Sequence, residues 1–509
     1  MVAAGILLSR ILGLVRNRVF AHYFGTSAAA DAFNAAFRIP NVLQNLFGEG
    51  VLSASFIPVY AGLQARGATR EARETAGAVA ALLGLVVSVL VLVGVLATPW
   101  LIDLIAPGFG GEKRTATIRL VRIFFPGAGL LVLSAWCLGI LNSHRRFFLS
   151  YVAPVVWNLA IIGTVTAAGG RYEGYPLAEI AAWASVAGSL AQFLIQVPTV
   201  LTLRGAAAPS RLLSEPVRRI LANFWPVFVG RGVVQISAYV DTLLASLLPT
   251  GAVAGVSYAQ VLYTLPVSLF GMSVSAAELP EMSSAVGEPE ARAAVLRDRL
   301  GRGLRQIAFF VVPSAVVFLA LGDVVTAALY QTGEFTREMG TYVWAILAGA
   351  SVGLLPSTLG RLYASTYYAL HDTRTPLRFA VLRVTLGLAL GYLLAVRLPP
   401  LLGLERQWGA AGLTLASAIA GTVEYLLLKR ALRGRIGGAG LPLGFLAALW
   451  GAAALGGGAA WALRALLPVH HPVIGAIFLL GTFGAVYLGA TIAAGVPEAR
   501  GAAARLLRR

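Results

Sequence analysis

The sequence predicts an all-α polytopic membrane protein of about fourteen transmembrane helices, and three observations carry that prediction. Of 509 residues, 58% are hydrophobic and only 12% are charged, whereas a soluble chain carries roughly a quarter charged. Mean hydropathy is +0.78. The apolar runs reach the ~20 residues needed to cross about 30 Å of hydrocarbon. A cytosolic enzyme with a polar shell, a disordered chain and a disulfide scaffold are excluded. The lone cysteine, Cys137, lies in LLVLSAWCLGIL and reads as a small buried hydrophobe. Net charge is nonetheless +18, from 40 Lys+Arg against 22 Asp+Glu. Nucleic acid would explain the charge but not the hydropathy. The placement of those cations is therefore the question.

Charge clusters and Gly/Pro turns divide the chain in order. The N-terminus lacks the basic region and cleavage site of a secretory signal, so 2–24 reads as a first mature helix. Segment 28–62 follows. Segment 75–102 is free of charge between Glu74 and Asp103. Segment 117–141 begins after Lys113 and Arg114, and 151–169 after Arg145 and Arg146. Segment 177–203 ends at Arg204. Segment 217–248 begins beside Arg218 and Arg219, and 251–283 ends before the cluster from Arg292 to Arg305. The remaining segments are 303–330, 338–369, 376–396, 409–431, 441–467 and 472–495.

The loops test this division. One side collects 24 cations: Arg66, Arg70, Arg73, Arg145, Arg146, Arg204, Arg211, Arg218, Arg219, the five arginines from Arg292 to Arg305, Arg374, Arg378, Lys429, Arg430, Arg433, Arg435 and four at 500–509. The other side has seven: Lys113, Arg114, Arg171, Arg337, Arg397, Arg406 and Arg464. Positive charge concentrates on the cytoplasmic side, so both termini are placed in the cytoplasm and the number of spans is even.

SASFIP (53–58) recurs as SAAELP (275–280), offset by 222 residues. The expected organisation is two parallel six-helix repeats around a central cavity, at 1–205 and 216–432. Two extra C-terminal helices, at 440–496, follow a flexible basic hinge, GRIGGAGLPLG (434–444).

Nine arginines remain within the segments: Arg10, Arg16, Arg18, Arg38, Arg119, Arg122, Arg231, Arg361 and Arg383. A charge at the bilayer centre is costly and normally faces protein or a water-filled cavity. Arg119 and Arg122, near a helix start, read as snorkelling. In segment 2, Asp31, Asn34, Arg38, Asn41, Gln44, Asn45 and Glu49 recur at helical intervals along one face, with a kink expected at Pro40. Arg10, Arg16 and Asn17 add to them from segment 1. One reading is a buried seam in which Asp31 and Glu49 neutralise Arg38 and Arg10. The other is a wet, net-positive cavity for an anionic ligand, since arginine grips phosphate bidentately and stays charged at any biological pH. There is no Walker A, HExxH or GxSxG motif and no metal-type His/Cys cluster. No cofactor is expected, and an ion gradient or the membrane potential must drive uphill work.

Residues 9–60, SRILGLVRNRVFAHYFGTSAAADAFNAAFRIPNVLQNLFGEGVLSASFIPVY, closely resemble the opening of the MurJ/MviN family of bacterial lipid II flippases. GILNSHRRF (139–147), TGEFT (332–336) and YYALHDTRTP (367–376) support the match. The resemblance implies the multidrug/oligosaccharidyl-lipid/polysaccharide exporter fold, with the last two helices lining a groove for a polyprenyl tail. Arg10, Arg16, Asp31, Asn41 and Glu49 fall on family polar positions, with Arg16 facing the substrate diphosphate. Asn17, Gln44 and Gln260 stand where relatives carry an acid, a base and an arginine. Arg231 and Arg383 are candidate replacement cations. Asp241 matches a family sodium-site acid, but Gly387 and Gly391 supply no side-chain ligands, so Arg383 is expected to pair with Asp241 as a tethered cation.

The resulting expectation is a non-enzymatic inner-membrane flippase for an undecaprenyl-diphosphate-linked sugar–peptide. Its partners are that substrate, membrane lipids and the cell-wall synthesis machinery; nucleic acid is not among them, and it acts as a monomer. Alternatives are a flippase for another polyprenyl-linked glycan, a drug/cation antiporter of the same fold, and a non-transporting scaffold.

Overall fold

The computed structural model describes residues 2–204, 212–284, 288–466 and 471–501 and, within these, all side chains except those of 2–7, 49, 204, 226–227, 229–238 and 289. Among the described residues the chain is helical throughout, without a strand. The helices are α1 (Val2–Phe24), α2 (Ala28–Phe47), α3 (Glu49–Ala65), α4 (Thr69–Ile105), α5 (Gly111–Ser143), α6 (Phe147–Ala168), α7 (Gly174–Arg204), α8 (Glu215–Ser246), α9 (Ala252–Pro266) and α10 (Ser273–Ser283). They continue as α11 (Pro289–Ala320), α12 (Gly322–Tyr330), α13 (Arg337–Ser351), α14 (Leu354–Ala369), α15 (Arg374–Gly391), α16 (Leu398–Leu401), α17 (Gly409–Ile436), α18 (Leu443–Leu466) and α19 (Pro472–Ala493).

Among the described residues, eleven helical stretches are long and apolar enough to cross a membrane, or twelve when α13 and α14, bent by 45°, count as one span. Helices α1 and α8, of 23 and 32 residues, have the length but are more polar. With them the fourteen expected segments are accounted for. Helix α4, at 37 residues, is about 55 Å long at 1.5 Å per residue. Its first turns, with Arg70 bonded to Glu74 at 3.0 Å, extend past the hydrocarbon.

The chain divides into two compact units: residues 1–254 with 332–334, and residues 255–331 with 335–509. In the first, α5 packs against α2, α3, α4 and α7, and most of its length is buried. Cys137 is free and buried there. Residues 216–254, expected to open the second lobe, cluster with the first unit. The reason is apolar packing: Val217 and Ile220 join the core of Leu52, Phe56 and Trp136, while Phe224 and Phe228 pack on Phe47.

In the second unit α17 packs against α13, α14 and α15. The C-terminal pair α18–α19 closes over α11, where the Tyr487 hydroxyl donates to the Phe309 carbonyl at 2.6 Å. The expected flexible hinge is tied down. Tyr363 donates to the Ala439 carbonyl at 2.8 Å, and Gly437 (φ 84°) lies against Arg297.

The internal repeat is written in the turns. Positive φ recurs at Gly25 and Gly251, Gly111 and Gly333, Arg145 and His371, and Gly174 and Gly403, at offsets close to the 222 residues read from SASFIP and SAAELP. Helix α2 continues through Pro40, where a kink was expected. The interruption comes at Gly48, with extended backbone. In the second repeat the matching place is a π-helical turn at Val267–Met272. Both repeats leave regular α-helical geometry at corresponding residues of their second span.

Candidate functional site

Arg16 lies well inside α1. Its guanidinium sits 4.8 Å from the centroid of the Trp157 ring on α6, a distance for cation–π attraction. It reaches Asn17 Oδ1 only at 3.5 Å, a weak contact. No carboxylate pairs with it among the described residues. Trp157 is held in place. Its indole N–H donates to the Ser185 carbonyl and hydroxyl at 3.1 and 3.2 Å, and its ring stacks on Phe37 at 6.0 Å. Ser185 borders, with Asn41 and Gln44, a crevice of ≈ 20 Å³ between α2, α5 and α7, room for about one water. Trp157 and Ser185 thus link Arg16 to the crevice that Asn41 and Gln44 line. Neither Trp157 nor Ser185 stands out in sequence, because an aromatic in an apolar run carries no periodic signal.

Asp31 is 1% exposed and engaged within the protein. It accepts from Lys113 Nζ at 2.6 Å and from the backbone amides of Gly251 and Ala254, each at 2.8 Å. Two of those donors open the first turn of α9, where a carboxylate is favoured by orphan amides and the helix dipole. Arg38 donates to Thr242 Oγ1 at 2.6 Å, while its own carbonyl accepts from Tyr239 at 3.3 Å. Asp241 lies within electrostatic reach of that guanidinium. The middle of the stripe therefore binds α2 to α8, and Asp31 pairs with Lys113 rather than with Arg38, the partner the seam reading gave it.

In the second unit Arg383 meets Glu424 on α17 at 3.4 Å, without a well-aligned hydrogen bond from its Nε. Asp241 and Arg383 each have a partner within their own unit, and Glu424 was not read from sequence. Arg361 also acts on Glu424. Tyr263 is hydrogen-bonded to Ser357 and lies near both arginines. Gln260 is exposed and donates to Thr264 Oγ1 at 3.1 Å. Arg361 in this unit and Arg10 in the first are exposed as well. Polar groups exposed on spanning helices face water or reach the headgroup level, because hydrocarbon tolerates them poorly. The side chains of Glu49 and Arg231 lie outside the described residues.

The family model for "Lipid II flippase MurJ" matches residues 20–488. The chain belongs to the lipid II flippase MurJ family. Lipid II flippase MurJ of Burkholderia cenocepacia is 31% identical over 442 residues, covering 84% of this chain and 82% of that one. Probable lipid II flippases MurJ of Haemophilus influenzae and Rhizobium tropici are 31% and 33% identical, each covering 84% of this chain and 84% and 79% of theirs. A solved lipid II flippase MurJ in an inward closed conformation superimposes with a TM-score of 0.79 at 23% identity, covering 96% of this chain and 97% of that one. An inward-facing multidrug-resistance MATE transporter of the MOP superfamily gives 0.69 at 16% identity, covering 84% and 95%. These two likenesses establish the fold. Among the described residues, Arg16 is a cation inside a spanning helix with no carboxylate paired to it.

Proposed function

We propose that this chain flips lipid II, the polyprenyl-diphosphate-linked sugar–peptide precursor of peptidoglycan, from the cytoplasmic to the outer leaflet of the inner membrane by alternating access. The observation that carries the reading of the site is Arg16, a cation inside a spanning helix, set on Trp157 and, among the described residues, without a carboxylate partner. Burying such a charge is costly unless an anion completes it, and a diphosphate matches its planar fork.

The headgroup is too polar to cross about 30 Å of hydrocarbon unaided. Arginine, amide and hydroxyl contacts replace its water while the tail remains in lipid, against the apolar surfaces of α18 and α19. No bond is made or broken. An inside-negative potential favours outward movement of an anionic headgroup by about 2.3 kcal/mol per charge per 100 mV. The arginine-rich loops support a multi-pass orientation with both termini in the cytoplasm. A monomer suffices, and the cell-wall synthesis machinery is the expected recipient of the flipped precursor.

The test uses purified protein in vesicles with labelled lipid II, following access to the label from each face. Wild type should move it, and Arg16→Glu should be folded but inactive. Equal transport by Arg16→Glu would remove Arg16 from the site. Transport of an unrelated polyprenyl glycan in preference to lipid II would overturn the substrate.

A further inference from the structure

We propose that the first unit carries, on its lipid-facing perimeter, a headgroup site for an anionic phospholipid, built by Arg119 and Arg122 of α5 beside Glu179 of α7. Both arginines lie within a spanning helix, and the site around Arg16 makes no use of them. What packs around α5 fixes where they point. Phe124 meets Phe33 and Phe37 of α2. Phe125 covers Gly94 of α4, and Gly127 lies against Val186 and Ser189 of α7. At 3.6 residues per turn, the direction left over is that of Thr115, Arg119, Arg122 and Pro126, all of them exposed. It is opposite α2, between α4 and α7. Those flanking helices expose Leu96 and Trp100, and Trp183 and Leu190, surface that suits hydrocarbon rather than a water-filled cavity.

Their depth is that of lipid phosphates. Helix α5 has 33 residues and is about 50 Å long, against about 30 Å of hydrocarbon, so about 10 Å at each end lies among headgroups. Arg119 and Arg122 are about 12 and 16 Å from the first residue, Gly111. Helical side chains lean back towards the N-terminus, which here is the end opposite the arginine-rich loops, so both guanidiniums are lifted to the headgroup boundary. Trp183 is 60% exposed, one turn on from Glu179 and about 13 Å into α7. Tryptophan favours that same level.

Charge selects the lipid. Arg119 donates to Glu179 Oε1 at 2.6 Å, which holds it in place and leaves most of its five N–H donors open. Arg122 has no hydrogen bond or ion pair among the described residues. Two cations and one carboxylate leave one positive charge, beside lipid, uncompensated. A phosphodiester supplies the missing anion, and arginine grips it bidentately. Phosphatidylglycerol, with one negative charge, completes the balance. A zwitterionic headgroup brings a cation of its own and leaves the excess standing. This site is independent of Arg16 and of the transported substrate.

The test is photolabelling of the full chain in bilayer nanodiscs, with phosphatidylglycerol or phosphatidylcholine carrying the same diazirine near the top of one acyl chain. Digestion and mass spectrometry then map the adducts along the chain. In wild type, peptides covering 115–126 and 179–190 should be labelled about fivefold more by the phosphatidylglycerol probe, the effect of one unneutralised arginine beside an anionic lipid. Arg122→Gln should lower that ratio to about one, Arg122→Lys should keep most of it, and Glu179→Gln should raise it. Adducts at the arginine-rich loops, which show that each variant is folded in the bilayer, should not change. Equal labelling by the two probes in wild type would overturn the proposal, since the arginines would then meet the headgroup layer without selecting a lipid. So would a ratio unchanged in Arg122→Gln, or one lost as fully in Arg122→Lys.

Discussion

Lys113 Nζ and Asp31 Oδ2 meet at 2.6 Å, one from the start of α5 and the other from the first turn of α2, with the carboxylate 1% exposed. The same carboxylate receives two amides from the beginning of α9. Asp31 thus joins three helices, and its lone pairs are committed to protein donors. Removing one member of a buried pair typically costs about 3–5 kcal/mol, because the other charge is left uncompensated. Asp31→Ala is expected to lower the yield of folded protein and its thermal midpoint rather than substrate affinity alone. Asp31→Asn with Lys113→Met, which removes both charges, should recover much of the loss. A well-folded Asp31→Ala protein with only weakened lipid II binding would return this residue to the substrate site.

Arg16 differs because its partners are an aromatic face and one long amide contact. A hydrogen bond to a charged group contributes about 1.5–3 kcal/mol, so Arg16→Ala should weaken lipid II binding by about tenfold to a hundredfold, at about 1.4 kcal/mol per decade. Arg16→Lys keeps the charge but not the fork and should recover only part. Titration of labelled lipid II into the purified protein measures this. Trp157→Leu should reproduce part of the loss, since it removes the platform and leaves the cation.

How much of this could be read from residues alone follows from the range of each signal. Span length is a local signal, so the segments were legible. The repeat was legible because both copies need the same turn, with Gly25 and Gly251 at corresponding corners. Arg16 was visible as a cation left inside a span, and Asn41 and Gln44 through helical spacing. Their organiser Trp157 was not, since apolar neighbours hide it. The pairs were the hardest. Lys113 is 82 residues from Asp31, and no periodicity links them. Arg383 was paired on paper with Asp241, and Glu424, 41 residues on, is brought beside it by the packing of α15 on α17.

That pairing can be measured. If Arg383 and Glu424 act as a pair, Arg383→Ala and Glu424→Gln should each impair transport, and the double variant should be less impaired than the two losses combined. Neighbouring residues in one network show coupling of about 0.5–3 kcal/mol. Additive effects in a double-mutant cycle of transport rates would mean the two act separately. Arg383→Ala with intact transport would remove the arginine from any coupling role.

Asp372 gives a pH-dependent prediction outside the spans. Its Oδ1 accepts the amides of Arg374 and Thr375, each at 3.0 Å, and its Oδ2 accepts the Thr375 hydroxyl at 2.7 Å. Arg435 adds an ion pair at 2.7 Å. The Thr375 hydrogen bonds first, and then the neighbouring arginine, hold the carboxyl down at about 2, below its ordinary value of 3.8. Because the folded value is the lower one, this stabilisation is fully present above about pH 4 and is lost as pH falls through about 2. It is therefore constant across the physiological range, and Asp372 fixes the α14–α15 turn rather than sensing pH. Asp372→Ala should cost about 0.5–2 kcal/mol, as loss of a helix cap does, and should increase hydrogen exchange at the start of α15. Asp372→Asn keeps an acceptor for the two amides but gives up the charge opposite Arg435, so it should fall between the two. Above pH 4 the stability difference between wild type and Asp372→Asn should be flat, and below it the difference should shrink. A difference that instead changes between pH 6 and 8 would mean a neighbouring group, not this carboxyl, sets the turn.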